Sequence, residues 1–259
     1  MNSTVAEKFL NLVDLMNLLR KKCPWDRKQT AESLRKYILE EAYEVIEAID
    51  KKKWNELGEE LGDLLLQVVF QAVIAEESRY FTLASVIESI NNKLIERHPH
   101  VFADKKISSA NDVEKNWEHT KIKNGDRKSL LGGIPKTAPA LLVAQRLQER
   151  AARVSFDWEK ITDVVEKINE ELNELRAAIK DRDKMHSEEE IGDVLFSLVN
   201  LSRFLDISAE DALRNTNLKF IKRFQYIEKA FDHDYDKLKQ ADLKTLDEKW
   251  EEAKKKDHS

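Results

Sequence analysis

The sequence has 259 residues, enough for one large domain or two small ones. Of these, 36% are charged and 41% hydrophobic, with only 6 Gly and 4 Pro, a mixture that suits a soluble, mainly helical chain. A net charge of −5 gives no overall attraction to nucleic acid, and the single cysteine, Cys23, excludes an intrachain disulfide and fits a reducing compartment.

The N-terminal MNSTVAEKFL lacks the basic segment and apolar run of a signal peptide. The most apolar stretch, residues 64–75, is interrupted by Gln67 and Gln71 and is too short to span a bilayer. The expectation is a cytoplasmic protein with neither nucleic acid nor membrane as partner. Phe9, Leu12, Val13, Leu15, Met16 and Leu19 recur at helical spacing and predict a helix over 5–20, ended by Pro24. Further helices are predicted over 29–49, 54–75 and 81–97, with Pro99 breaking the pattern, and a short one over 111–123 containing Trp117. Residues 124–139 hold three of the six glycines and two of the four prolines, and mark a domain boundary. Helical patterns resume over 140–153, 161–180, 187–204, 209–231 and 243–255. No segment shows sustained strand alternation. The fold class is therefore all-α, in two tandem helical domains, 1–123 and 140–259, joined by a linker at 124–139.

An acidic pattern repeats within this frame. Glu40, Glu41 and Glu44, followed by Glu60 and Asp63, recur 130 residues later as Glu170, Glu171 and Glu174, followed by Glu190 and Asp193. A glycine precedes each final aspartate, Gly62 and Gly192, and an acid stands beside each second pair, Glu59 and Glu189. A solvated charged face has no reason to repeat at fixed spacing, so the pattern reads as a duplicated site. The repeat extends to Lys93 and Arg97 against Lys219 and Arg223, and to Trp117, Glu118 and Lys121 against Trp250, Glu251 and Lys254. On a helix, Glu40 with Glu44 and Glu170 with Glu174 share a face at i,i+4, as do Glu60 with Asp63 and Glu190 with Asp193 at i,i+3. Short connections make the two acid helices antiparallel neighbours whose carboxylates converge.

Converging carboxylates repel and call for cations. Oxygen donors, with no nearby His or Cys at metal-ligand spacing, favour a hard ion, magnesium or manganese, and magnesium commonly completes its shell with phosphate oxygens. Lys219 and Arg223, at i,i+4, suit phosphate, Trp250 offers a face for a base, and Lys254 lies one turn on. Together these describe a nucleotide site. A glycine inside a helix costs about 1 kcal/mol relative to alanine. Gly62 and Gly192 are therefore expected where a neighbouring helix or ligand approaches closely, with simple helix packing as the alternative. Glu-x-x-His is absent from both acid helices, which disfavours a di-iron bundle.

The segments CPWDRKQTAESLRKYILEEAYEVIEAI, EELGDLLLQVVF, RHPHVF and SFDW, with the paired E-E-x-x-E…E-x-x-D motif, resemble the MazG family of nucleoside triphosphate pyrophosphohydrolases over nearly the whole length. The resemblance implies helical-bundle domains, a homodimer in which domains pair, a magnesium requirement, and hydrolysis of ribo- and deoxynucleoside triphosphates to monophosphate and pyrophosphate. It implies metal ligands at Glu171, Glu174, Glu190 and Asp193, and at Glu41, Glu44, Glu60 and Asp63 in the first copy. Nucleotide contacts map to Lys167, Lys219, Arg223, Trp250 and Lys254. Two departures stand out. His186 occupies a place where family members often have lysine, which puts one phosphate contact in doubt, and Tyr37 occupies the place of Lys167 in the first copy. The C-terminal site is therefore expected to be the stronger.

The expected chemistry is metal-assisted hydrolysis, with Glu170 or Glu171 positioning the water or taking its proton and with Lys219 and Arg223 offsetting charge on the leaving group. Attack at the α-phosphorus comes from the family. Broad base specificity and a nucleotide-pool housecleaning or stress role are expected. Family members also carry weak links to a GTPase partner and to starvation signalling. The alternatives are a helical scaffold or regulatory protein with a structural metal, and a hydrolase narrowed to one nucleotide.

Overall fold

The computed structural model describes residues 3–102 and 129–257, and every regular element among them is a helix. The chain divides into two compact units, Met1–Thr120 and Lys121–Ser259. The short helix expected over 111–123, with Trp117, Glu118 and Lys121, lies outside the described residues.

In the first unit α1 (Ser3–Lys22) is followed by a single helical turn, α2 (Pro24–Lys28). Pro24 thus opens a helix as well as following one, because its fixed φ and missing N–H are no handicap at a first helical position. Next come α3 (Ala31–Asp50) and α4 (Trp54–Glu77), packed against each other along their length, then α5 (Leu83–Arg97) and α6 (Pro99–Phe102). Thr30 and Thr82 start α3 and α5 with reciprocal capping boxes to Ser33 and Ser85. Met16, Leu34, Val69, Phe70 and Val73 form the core, with Phe9, Leu12, Tyr37 and Leu66 packed on it. Arg20 ties α1 to its neighbours. Its guanidinium donates to Glu77 and to the carbonyls of Asp26 and Gln29, and lies over the Phe70 ring at 5.7 Å.

In the second unit α7 (Ala140–Ala152) leads to α8 (Ile161–Asp181) and α9 (Lys184–Phe204), the pair equivalent to α3 and α4, followed by α10 (Ala209–Ala230), α11 (Tyr235–Gln240) and α12 (Leu243–Asp257). Helix α9 packs on α8 and α7, and α12 packs on α10. Val164, Ile168, Ala178, Val199, Ala209, Ile227 and Ala253 are buried between them. The stretch expected as a linker is described from residue 129. There the Gly132 carbonyl accepts a hydrogen bond from Arg150 of α7.

Helix α9 begins at Lys184, three residues before the expected start, because the Asp183 carboxylate accepts from the backbone N–H groups of Met185 and His186. His186 is therefore a helical residue one turn before Glu190. The close approach expected at Gly62 and Gly192 is absent among the described residues: a Cβ at either position would meet nothing within 4 Å. Both glycines lie on open surface, beside apolar side chains that are also open. Leu61, Leu65 and Val68 of α4 are exposed, and so are Ile191, Leu195 and Leu198 of α9, each 130 residues on. The exposed stripe thus repeats in register with the acids. Among the described residues, no helix is long and apolar enough to cross a membrane.

Candidate active site

Helices α3 and α4 bring Glu41, Glu60 and Asp63 together, each offering a carboxylate oxygen within 4.8 Å of the others. Glu44 is within hydrogen-bonding reach of both Glu41 and Glu60. Burial, followed by the charges of Asp63 and Glu44, raises the Glu41 carboxyl above its ordinary range. Glu60 is raised likewise, by burial and then by Glu44 and Asp63. All four acids expected in the first copy therefore converge.

In the second unit Glu171, Glu174 and Glu190 offer oxygens within the same 4.8 Å. Glu171 and Glu190 are buried, whereas Glu174 is exposed. Burial, then the charges of Glu190, Glu171 and Glu170, raises Glu174, with Lys167 opposing. Asp193 lies one turn beyond Glu190, on the wall of a small cavity that also reaches Glu171 and Lys167. The Lys167 ammonium sits 2.8 Å from Glu170 and 2.8 Å from Glu171, and these partners hold it protonated well above the usual lysine range. At the equivalent place in the first unit, Tyr37 is half-buried, edge-on to Trp25 at 6.2 Å. The His186 Nδ1 lies 3.5 Å from Glu190 and 3.7 Å from Glu189.

Either cluster could hold a hard divalent cation. Their donors are all carboxylate oxygens. Glu190 Oε2 is buried without a hydrogen-bond partner among the described residues, a place that a cation could fill. The raised carboxyls are consistent with this, since burial first, and then the neighbouring acid charges, disfavours their ionised form, which a cation would favour.

The remaining residues expected to touch nucleotide gather on α10 and α12. Arg223 Nε donates to Asp257 at 2.8 Å, Lys222 Nζ donates to the same carboxylate at 2.6 Å, and the Arg223 guanidinium lies over the Trp250 ring at 5.6 Å. The Asp257 carboxyl is pulled down to about 2 by its hydrogen bonds to Lys222 and Arg223. Trp250 is half-buried against Phe220, with ring centroids 5.2 Å apart. Lys219 is exposed one turn before Arg223, and Lys254 pairs with Glu251. Asp257 escaped the sequence reading because it stands just past the repeated Trp250, Glu251 and Lys254, and the matching place in the first copy is Asn124 rather than an acid.

Sequence reasoning also passed over a larger cavity, of about 580 Å³, beside the acids of the second unit. Gln148, Phe156, Trp158, Phe196, Asn200 and Arg203 are among its wall residues. Its turn is held firmly: Ser155 takes a left-handed φ of 63°, and Asp157 accepts from the Trp158 backbone N–H at 2.9 Å and from Arg203 Nη1 at 2.9 Å. The SFDW string was the available signal, but nothing in four residues shows what they enclose.

Two segments of the chain, residues 29–102 and 159–227, match a family model described as the MazG nucleotide pyrophosphohydrolase domain. Over 250 residues, covering 95% of each chain, the sequence is 49% identical to the nucleoside triphosphate pyrophosphohydrolase/pyrophosphatase MazG of Thermotoga maritima. It is 42% identical over 240 residues, 90% of each chain, to a nucleoside triphosphate pyrophosphohydrolase of Escherichia coli strain K12. The crystal structure of a mazG-related protein from Thermotoga maritima is 32% identical and covers 43% of this chain and 97% of its own, with a TM-score of 0.39.

Proposed function

The chain belongs to the MazG family of nucleotide pyrophosphohydrolases, and we infer from that membership that it hydrolyses nucleoside triphosphates to the monophosphate and pyrophosphate. It is an enzyme, a nucleoside triphosphate pyrophosphohydrolase, with two all-helical MazG-type domains. The observation that carries the reading into the structure is the convergence of Glu171, Glu174 and Glu190 from two helices onto one point, beside a protonated lysine.

We place the working site in the second unit, with Glu171, Glu174, Glu190 and Asp193 holding magnesium or manganese. Bound there, the cation would neutralise phosphate charge and make water a better nucleophile at neutral pH. Lys167 would donate to a phosphate oxygen, exchanging part of its pairing with Glu170 and Glu171. Glu170, more exposed than Glu171, would accept the proton of the attacking water. His186 would contact a phosphate from the first turn of α9, in place of the longer lysine.

Lys219, Arg223 and Lys254 form the second group of phosphate contacts, with Trp250 supporting the Arg223 guanidinium. We propose that a second copy of the chain completes the assembly as a homodimer. Support comes from the exposed apolar stripes on α4 and α9, which need cover, and from the open space at Gly62 and Gly192, which would let a partner helix approach. We also propose domains at 1–123 and 140–259, joined by 124–139, a division supported by one matched segment falling within each. Broad base use, and a role in clearing the nucleotide pool of a cytoplasm, complete the proposal.

The test is product analysis in ¹⁸O-water, with each triphosphate and magnesium, beside a Glu174→Ala, Asp193→Ala double variant. Monophosphate carrying the label, with pyrophosphate unlabelled and both lost in the variant, is the expected result. Label in pyrophosphate would exclude attack at the α-phosphorus. Activity surviving in the variant would move the working site to the first unit.

A further inference from the structure

We propose that the nucleoside of the substrate lodges in the cavity walled by Phe156, Trp158 and Phe196, with its base stacked on Trp158 and its edge read by Asn200 and Gln148. The inference rests on the reading of the chain as a triphosphate hydrolase and assigns the part of the site that recognises the base. Two cavities adjoin in the second unit, one of about 580 Å³ and one of about 170 Å³, and Trp158, Phe196 and Asn200 line both. The smaller reaches Lys167, Glu171 and Asp193. In the proposal the phosphates lie among the acids and the nucleoside crosses the shared wall residues into the larger space, which is within the usual size of a small-ligand pocket.

The walls carry what a base requires. Trp158 and Phe156 are large aromatics left 45% and 80% exposed, although they belong to a turn held in place by Asp157 and Arg203. Stacking faces fixed in this way lose little freedom on binding. Asn200 Oδ1 accepts from Arg203 Nη2 at 2.8 Å and Nε at 3.2 Å, which leaves the amide NH₂ as the group it offers to a ligand. Gln148 is buried on the same wall. Its Nε2 donates to the Phe196 carbonyl at 2.8 Å, and its Oε1 is buried with no hydrogen-bond partner among the described residues. A donor and an acceptor beside an aromatic face can read the edge of a base. The NH₂ of Asn200 favours bases that present a carbonyl.

Trp250 and Trp25 are placed differently. Trp250 is covered by Phe220 and Arg223, and Trp25, which precedes the acids of the first unit, is packed edge-on to Tyr37.

The test compares kcat and KM of wild type, Trp158→Ala, Trp158→Phe and Asn200→Asp on uridine, guanosine, cytidine and adenosine triphosphates. Inorganic triphosphate, which has no nucleoside, serves as competitive inhibitor. Trp158→Ala should raise KM about tenfold or more for every nucleotide, from lost stacking. Trp158→Phe should restore most of the loss, and inhibition by inorganic triphosphate should not change. Asn200→Asp should lower kcat/KM for uridine and guanosine triphosphates relative to adenosine triphosphate. An unchanged KM in Trp158→Ala, or an unchanged base ranking in Asn200→Asp, would overturn the assignment while leaving the hydrolase reading intact. Failure of wild type to cleave any triphosphate would instead remove the hydrolase reading beneath it.

Discussion

Lys167 and Tyr37 stand at equivalent places in the two copies, and the exchange of an ammonium for a phenol separates their electrostatics. In the second unit the ammonium answers two of the acids at 2.8 Å each. In the first, the phenol ring is half-buried in the core and its acids face one another without that cation. Glu174→Ala is therefore expected to remove nearly all pyrophosphate release, and Glu44→Ala to leave most of it; equal losses would contradict the assignment. The raised carboxyls give a second expectation. When a folded pKa exceeds the unfolded one, the group's stabilising contribution is full below the ordinary value and is lost as pH rises through the raised one. Glu41, Glu60 and Glu174 thus stabilise the metal-free protein on the acid side of the carboxylate range and surrender that contribution at neutral pH. A cation takes the place of the missing protons. Magnesium should raise Tm at neutral pH, and the shift should shrink as pH falls through the carboxylate range. Equal shifts at neutral and acid pH would show that the cation binds elsewhere.

At the scale of elements, the acid helices owe their alignment to local signals with measurable weight. Asp183 caps α9 and sets the turn that carries His186 and Glu190. Asp183→Ala should cost about 1 kcal/mol by denaturant titration. In Gly192→Ala the new methyl enters open space, so helix propensity alone should stabilise the isolated unit by about 1 kcal/mol. If a partner helix lies there in the dimer, the same methyl should weaken association. Unfolding at high and low protein concentration separates the two effects. Most of the frame was legible in the sequence, because periodic apolar residues mark long helices and the acids repeat at a fixed interval. Short elements and long-range walls were not. Helices α2, α6 and α11 have five, four and six residues, too few to show a period, though Asp234 caps the last. The start of α9 was set by one side chain rather than by periodicity. The cavity draws its wall from residues as far apart as Gln148 and Arg203, which only the packing of α7 on α9 brings together.

At the scale of the whole molecule, the two units share a plan in which the long helix pair is packed on one side and left apolar on another. Leu195→Asp, on the exposed stripe of α9, should shift the protein toward monomer in sedimentation or size-exclusion measurements while leaving its helix content unchanged. A variant that remained dimeric would exclude α9 from the contact. The duplicated stripe also creates a problem of bookkeeping between chains. Leu61, Leu65 and Val68 match Ile191, Leu195 and Leu198 position for position. If like pairs with like, two chains close on each other and growth stops. If the first stripe of one chain takes the second stripe of another and the exchange is not reciprocal, each addition leaves fresh ends, and the product is a ring where the rotation closes and an open polymer where it does not. Selection against that outcome falls to the few side chains that differ, Leu61 against Ile191 and Val68 against Leu198 among them. Ile191→Leu with Leu198→Val, which erases those differences, should therefore shift part of the protein into assemblies larger than a dimer in sedimentation measurements.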